Sequence, residues 1–192
     1  MTELSILILS GSGRRPSYTR SLCGAIETAL EARGAAPVTF DLAERRLPLV
    51  EPRLRQQRDA HPDANVAEFY RLARAADAFV LASPVYHNSY SGLLKNALDY
   101  LMLTDFRKKP VGLASQSGRS TQAVDHLRIV VRGILGVAIT TQVCTHDADF
   151  GALGADDLCP LTAPDIVERI DRFADELVLF AAQLRTMRAA AE

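Results

Sequence analysis

The stretch LSILILSGSGRRPSYT, residues 4–19, carries two signals in succession. Leu4 to Leu9 is an apolar run rich in Ile and Leu, which reads as a strand buried on both faces rather than one that alternates with solvent. It ends at Ser10-Gly11-Ser12-Gly13, and a helical pattern opens at Tyr18. The intervening loop offers hydroxyls, arginines and two glycines that let backbone amides approach a ligand. All of this stands just before a helix N-terminus, whose dipole favours an anion. A phosphate group is the expected occupant, and three readings compete. A dinucleotide GxGxxG fingerprint needs glycine where Pro16 stands, and Asp41 lies far downstream for its ribose acid. An NTP-binding P-loop needs a lysine that the loop lacks. A flavodoxin-type loop, wrapping a lone phosphate with Ser, Thr and amides, suits the composition best, and an ordinary polar turn stays open beside it.

Similar apolar runs recur at Val38 to Leu42, Ala78 to Ala82, Pro110 to Ala114 and Val137 to Val143. Between them lie helical stripes: Tyr18 to Arg33; Val66, Phe69, Tyr70 and Ala73; Leu93, Leu94, Ala97, Leu98 and Leu101; then Ala123 through Ile134. Five strands alternating with helices predict an α/β domain with a parallel sheet and right-handed crossovers. The last helix is expected to start at Thr162 as N-cap, with Asp165 three residues on, and to carry an apolar stripe from Ile166 to Met187. That stripe covers one sheet face, or also packs on another subunit. The long irregular stretch from Ala43 to Pro62 is expected to be a lid or interface arm, and its five arginines a solvated surface.

With 192 residues, the chain is expected to form one domain over residues 1–192, since domains average about 150 residues. Residues that are 48% hydrophobic and 23% charged supply a sizeable core and argue against disorder. A net charge of -1 gives no global attraction to nucleic acid or to an anionic membrane. The N-terminus lacks the form of a secretory leader, and no window has the length of a membrane helix. Cys23, Cys144 and Cys159 show no CxxC pair, and His61, His87, His126 and His146 are scattered. Reduced structural thiols, a cytoplasmic setting and no metal site are therefore expected.

In an open α/β sheet the ligand lies beyond the carboxyl ends of the strands, where strand order reverses. A second loop there is more specific: SPVYHNSYSGLLKNALDYL, residues 83–101. Pro84 turns the chain out of the sheet, and Tyr86 and Tyr90 offer aromatic faces to a flat heterocycle. This stretch resembles the PxYxxSxxGxLKNxxDxL signature of the NAD(P)H-dependent FMN reductases, which include sulfonate-utilisation FMN reductases and azo or quinone reductases. The likeness extends over residues 10–19, over DLAERRLPLVEP from Asp41, over ARAADAFVLASPVY, and over SQSGRSTQAVDHLRIVVRGILGVAITTQV. Two departures stand out: Ser91 replaces a proline common before the glycine, and Gln116-Ser117-Gly118-Arg119 replaces a more glycine-rich turn.

The resemblance implies a flavodoxin-like three-layer sandwich, a five-stranded parallel sheet in the order 2-1-3-4-5 with helices on both faces. It places Ser10, Ser12, Arg14, Ser17, Tyr18 and Thr19 around the FMN phosphate. Pro84, Val85, Tyr86, His87 and Asn88 would line the ring and ribityl chain, with backbone amides on the ring's polar edge, and Ser115, Gln116, Ser117 and Gly118 would close the other side. It implies no catalytic side chain, because the flavin carries the chemistry and NADPH or NADH supplies the hydride. His87 is read as a rim residue, the Lys95/Asp99 pair as structural, and Arg14, Arg15 and Arg119 as candidates for a coenzyme 2'-phosphate. The implied activity is reduction of FMN for a partner monooxygenase or other small-molecule acceptor, in a homodimer or homotetramer. The alternatives are an FMN-containing quinone or azo reductase, a non-enzymatic flavodoxin-like carrier, and a flavin-binding accessory protein. The near-neutral charge speaks against the carrier, which usually bears an acidic docking face.

Overall fold

Apolar side chains along the central strands sort by parity, and that sorting builds both layers of the core. The computed structural model describes residues 3–54, 58, 61–154 and 157–190. Its elements are β1 (Leu4–Ser10), α1 (Tyr18–Glu31), β2 (Ala35–Asp41), α2 (Ala64–Ala75), β3 (Ala78–Pro84), α3 (Gly92–Tyr100), α4 (Leu103–Phe106), β4 (Pro110–Gln116), α5 (Gln122–Gly133), β5 (Val137–Thr145) and α6 (Pro164–Ala189). The strands form one parallel sheet in the order β2-β1-β3-β4-β5, the arrangement that the resemblance implied. Leu7, Leu9, Phe79, Leu81, Val111 and Leu113 face α2, α3 and α5. Ile6, Ile8, Val80, Ala82 and Ala114 face α1 and α6. Each fully buried Leu, Ile or Phe contributes about 1.5–3 kcal/mol, and a strand with two buried faces draws on both layers.

Gly112 of β4 is required by packing. It leaves room for the Phe173 ring of α6, and a Cβ there would overlap that ring, 2.8 Å from Cε2. Around the same glycine the β4–β5 register slips: Val111 pairs with Ala138 but Leu113 with Gln142. The amides freed there are bound by α6: the Glu176 carboxylate accepts from Thr140 N and Thr141 N, each at 2.8 Å. Burial opposes ionisation of Glu176, but these bonds outweigh it and hold the carboxyl below its ordinary range.

Several boundaries differ from the sequence reading. β2 begins at Ala35 rather than Val38, because it is an edge strand, where Pro37 is tolerated and two alanines suffice. α6 starts at Pro164 with Ala163 as N-cap. Thr162 does not cap it; its hydroxyl instead donates to Asp149 O at 3.2 Å. The arginines of the 43–62 stretch are not simply a solvated surface. Arg45 lies over the Phe40 ring, and Arg58 lies over Tyr70 while donating to the buried Asp105 carboxylate at 2.9 Å. Arg55 lies outside the described residues. The Lys95–Asp99 ion pair forms at 2.7 Å on the exposed face of α3.

Candidate functional site

The loops after β1, β3 and β4 converge above the sheet and are tied together by short polar side chains. Gly11 N donates to Ala82 O at 2.8 Å, and Gly11 O accepts from Ser91 Oγ at 2.6 Å. The same Ser91 hydroxyl caps α3 by accepting from Leu94 N, and Ser91 N donates to Ser83 Oγ. Serine at position 91 thus fastens the loops after β1 and β3, which proline has no group to do. Gly11 is confined: a Cβ would meet Ala82 O and Leu94 Cβ at 3.0 Å and Ser91 Oγ at 3.1 Å.

A cleft of about 380 Å³ opens between these loops. Ser12, Arg14, Ser17, Tyr18 and Thr19 form one wall, Pro84, Val85 and Tyr86 a second, and Gln116 and Ser117 a third. The other expected contacts stand apart from it. Ser10 and Ser115 are fully buried below the loops, Ser10 beside the Cys23 thiol and Ser115 donating to Ser120 O. Burial pushes that thiol up to about 12, as suits a structural cysteine. His87 and Asn88 occupy a two-residue turn with φ of 49° and 63°, closed by reciprocal bonds between Tyr86 and Ser89. Gly118, at φ 55°, follows Ser117 and does not itself line the cleft. A larger groove of about 610 Å³ runs between α1 and residues 154 and 158–161, but it lies along the helix and not at the strand ends.

Backbone amides show what the cleft can hold. Ser17 caps α1 by accepting from Arg20 N, and the first-turn amides of Tyr18 and Thr19 have no helical acceptor. With the buried hydroxyls of Ser12 and Thr19 and the close-fitted Gly11, these make a cradle that fits a phosphate monoester. On the other walls Val85 N is spent on Gln116 O, Tyr86 N on Ser89 O, and Ser117 N and Arg119 N on Thr145 O. In the turns beside these walls, the amides of His87, Asn88 and Gly118 have no partner among the described residues.

Charge along the cleft is uneven. Arg15 is paired with Glu44, and Arg119 is gripped by Asp149 at 2.7 Å and Asp165 at 2.9 Å. Of the three arginines considered for a phosphate, Arg14 alone has no acidic partner among the described residues. Among the described residues Asp147 is the one acid lining the cleft, and Gln116 Nε2 donates to it at 2.5 Å. Sequence reading missed Asp147, because no spacing rule links a residue after β5 to one at the end of β4. It also missed Asp149, 4% exposed, whose carboxylate accepts from Arg119 and from His146 N at 2.7 Å.

Burial raises the Asp149 pKa, but the Arg119 and His146 bonds outweigh it, so the carboxyl lies below its ordinary 3.8. A group with a depressed folded pKa gives stability that is present above the unfolded pKa and lost as pH falls through the folded one. Asp149→Asn should therefore lower the urea midpoint at pH 7, and the gap to wild type should narrow as pH drops below the ordinary carboxylate range. A gap that stays constant down to acid pH would contradict this assignment.

The sheet order, with a polar cleft at its reversal point, defines a flavodoxin-like α/β fold whose loops suit a phosphorylated ligand. The family described as NADPH-dependent FMN reductase matches residues 4–149. The chain belongs to that family, whose members work with FMN and NAD(P)H. It is 39% identical over 184 residues to an FMN-dependent NADPH-azoreductase of Staphylococcus saprophyticus, covering 91% of this chain and 93% of that one. An FMN-dependent NADPH-azoreductase of Staphylococcus aureus is 37% identical over 176 residues, with coverage of 91% and 93%. Among solved structures, an oxidoreductase from Corynebacterium diphtheriae superposes with a TM-score of 0.70 at 26% identity, covering 94% of this chain and 98% of that one.

Proposed function

We propose that residues 1–192 act as one FMN-binding domain that takes hydride from NAD(P)H and passes the electrons to a second small molecule in the same cleft. The observation that carries this is the three-walled cleft with a phosphate cradle at one end and a rim open at Tyr86, 42% exposed. Bound FMN supplies the hydride-accepting ring. The protein supplies position and polarity. Arg14, the Tyr18 and Thr19 amides and the Thr19 hydroxyl hold the phosphate, and Ser17 keeps the α1 end in register. Pro84 and Val85 bound the ring's flat face, and the free amides of His87, Asn88 and Gly118 are available to its polar edge. Tyr86 shields the rim from water while leaving space for nicotinamide and acceptor in turn.

A second reading, a tightly flavinated azo or quinone reductase, is favoured by the 39% identity to an azoreductase across 91% of this chain. No described helix is long and apolar enough to cross a membrane, and we assign the chain to the cytoplasm on its three free thiols. Self-association is supported by exposed apolar side chains near the α3 side, Leu49, Met102 and Leu103.

Titration of the purified protein with FMN should quench flavin fluorescence, and NADPH added under nitrogen should bleach the complex. Steady-state assays then separate the two readings. Saturable turnover of added FMN marks the dissociable reductase, whereas turnover of an azo dye or quinone at constant bound FMN marks the azo or quinone reductase. Failure to bind FMN would remove both.

A further inference from the structure

Gln116 is 9% exposed and lines the cleft, and its Nε2 donates to Asp147 Oδ1 at 2.5 Å. A carboxylate only accepts, so the amide must turn its NH2 to Asp147 and leave its carbonyl oxygen for a ligand. Gln116 Oε1 has no partner among the described residues. Among the described residues Asp147 is also the one acid lining this cleft, whose β1–α1 wall carries Arg14 and a helix N-terminus. That polarity sets a ligand's direction, because a phosphate is drawn to the Arg14 wall and repelled from Asp147.

We propose that Asp147 is a positioning residue that fixes the Gln116 amide and makes the protein hold oxidised FMN more tightly than reduced FMN. The inference rests on the FMN reading above. Hydride transfer from NAD(P)H carries two electrons and one proton, so FMN becomes the hydroquinone anion while the nicotinamide is left as NAD(P)+. With the phosphate at the Arg14 wall, the ring would lie toward Gln116 and Asp147, and the negative charge it gains would be repelled by the one Asp147 places there. The Arg14 end does not offset this, since the phosphate it faces is charged in both redox states. Bound FMN is thereby made a stronger reductant and its reduced form easier to release. Asp147 contacts Gln116 through its side chain and acts on the ring through that contact and through its charge.

The test measures oxidised FMN affinity by fluorescence quenching and the two-electron midpoint potential of the complex. Wild type is compared with Asp147→Asn, which keeps an oxygen to accept from Gln116, and with Asp147→Ala, which does not. Asp147→Asn should leave oxidised affinity within about twofold and lower the ratio of reduced to oxidised dissociation constants about tenfold, a rise of about 30 mV for two electrons. Asp147→Ala should show the same rise and also weaken oxidised FMN, because the Gln116 amide is released. A midpoint potential unchanged in both variants overturns the proposal while leaving the FMN reading intact. Absence of flavin quenching by wild type overturns the FMN reading, and this inference with it.

Discussion

Gly11→Val is expected to collapse FMN binding while leaving most of the fold in place. Even alanine would put a Cβ at 3.0 Å from the Ala82 carbonyl and from Leu94 Cβ, and neither can retreat without moving β3 or α3. Valine adds two more carbons to that space. The relief available is outward movement of the β1–α1 loop, which breaks the Gly11–Ala82 and Ser91–Gly11 bonds and withdraws the phosphate cradle. Overpacking of this kind costs about 1–3 kcal/mol of stability. FMN affinity should fall by more than about tenfold, since a loss of about 1.4 kcal/mol at the cradle already does that. Gly92→Ala is the control: the space beside that glycine is open, so urea midpoint and flavin quenching should stay at wild-type values. Equal flavin affinity in the two variants would sink the argument.

Phe173→Ala should be the most destabilising single change in the sheet–helix interface. The ring is fully buried and rests on the one residue of β4 without a side chain. Phe→Ala in a core costs about 3–5 kcal/mol, against a total stability of about 5–15 kcal/mol for a typical protein. Gly112→Ala in the wild-type background should itself destabilise by about 1–3 kcal/mol through overlap with the ring. In the Phe173→Ala background the same alanine enters an empty space and should be neutral or stabilising. A double-mutant cycle on urea midpoints should therefore return a coupling of about 0.5–3 kcal/mol, and strict additivity would show that the two residues do not share this space.

Most of the framework was legible in the chain itself. The apolar runs at residues 4–9, 78–82 and 110–114 are strands because apolar residues occupy both of their buried faces, with the partly buried Ser5 the one polar residue among them, and β3 and β4 are buried at every position. The edges read less well. β2 starts in Ala-Ala-Pro, which has little strand propensity and is held by pairing with β1. The arginines between 43 and 62 look alike in sequence, yet Arg58 is drawn to Asp105, 47 residues away, and Arg45 to its own strand end.

At the site the division follows range. The loop proposed as a phosphate cradle is local, because its glycines, hydroxyls and helix start all fall within residues 10–19. What closes the cleft is not local. Ser91 reaches Gly11 across 80 residues, Gln116 reaches Asp147 across 31, and Arg119 reaches Asp165 across 46. The same distinction sets Ser10 and Ser115 apart from their neighbours, since strand parity turns their side chains into the protein beneath the loops. The chain alone determined the α/β class and the polar, glycine-bearing loops at the strand ends, because periodicity and short-range backbone chemistry are written residue by residue. Only the tertiary structure decided which arginine stays free, which amides remain unpaired and which acid faces the cleft. Those depend on partners that the crossovers bring together from distant parts of the chain.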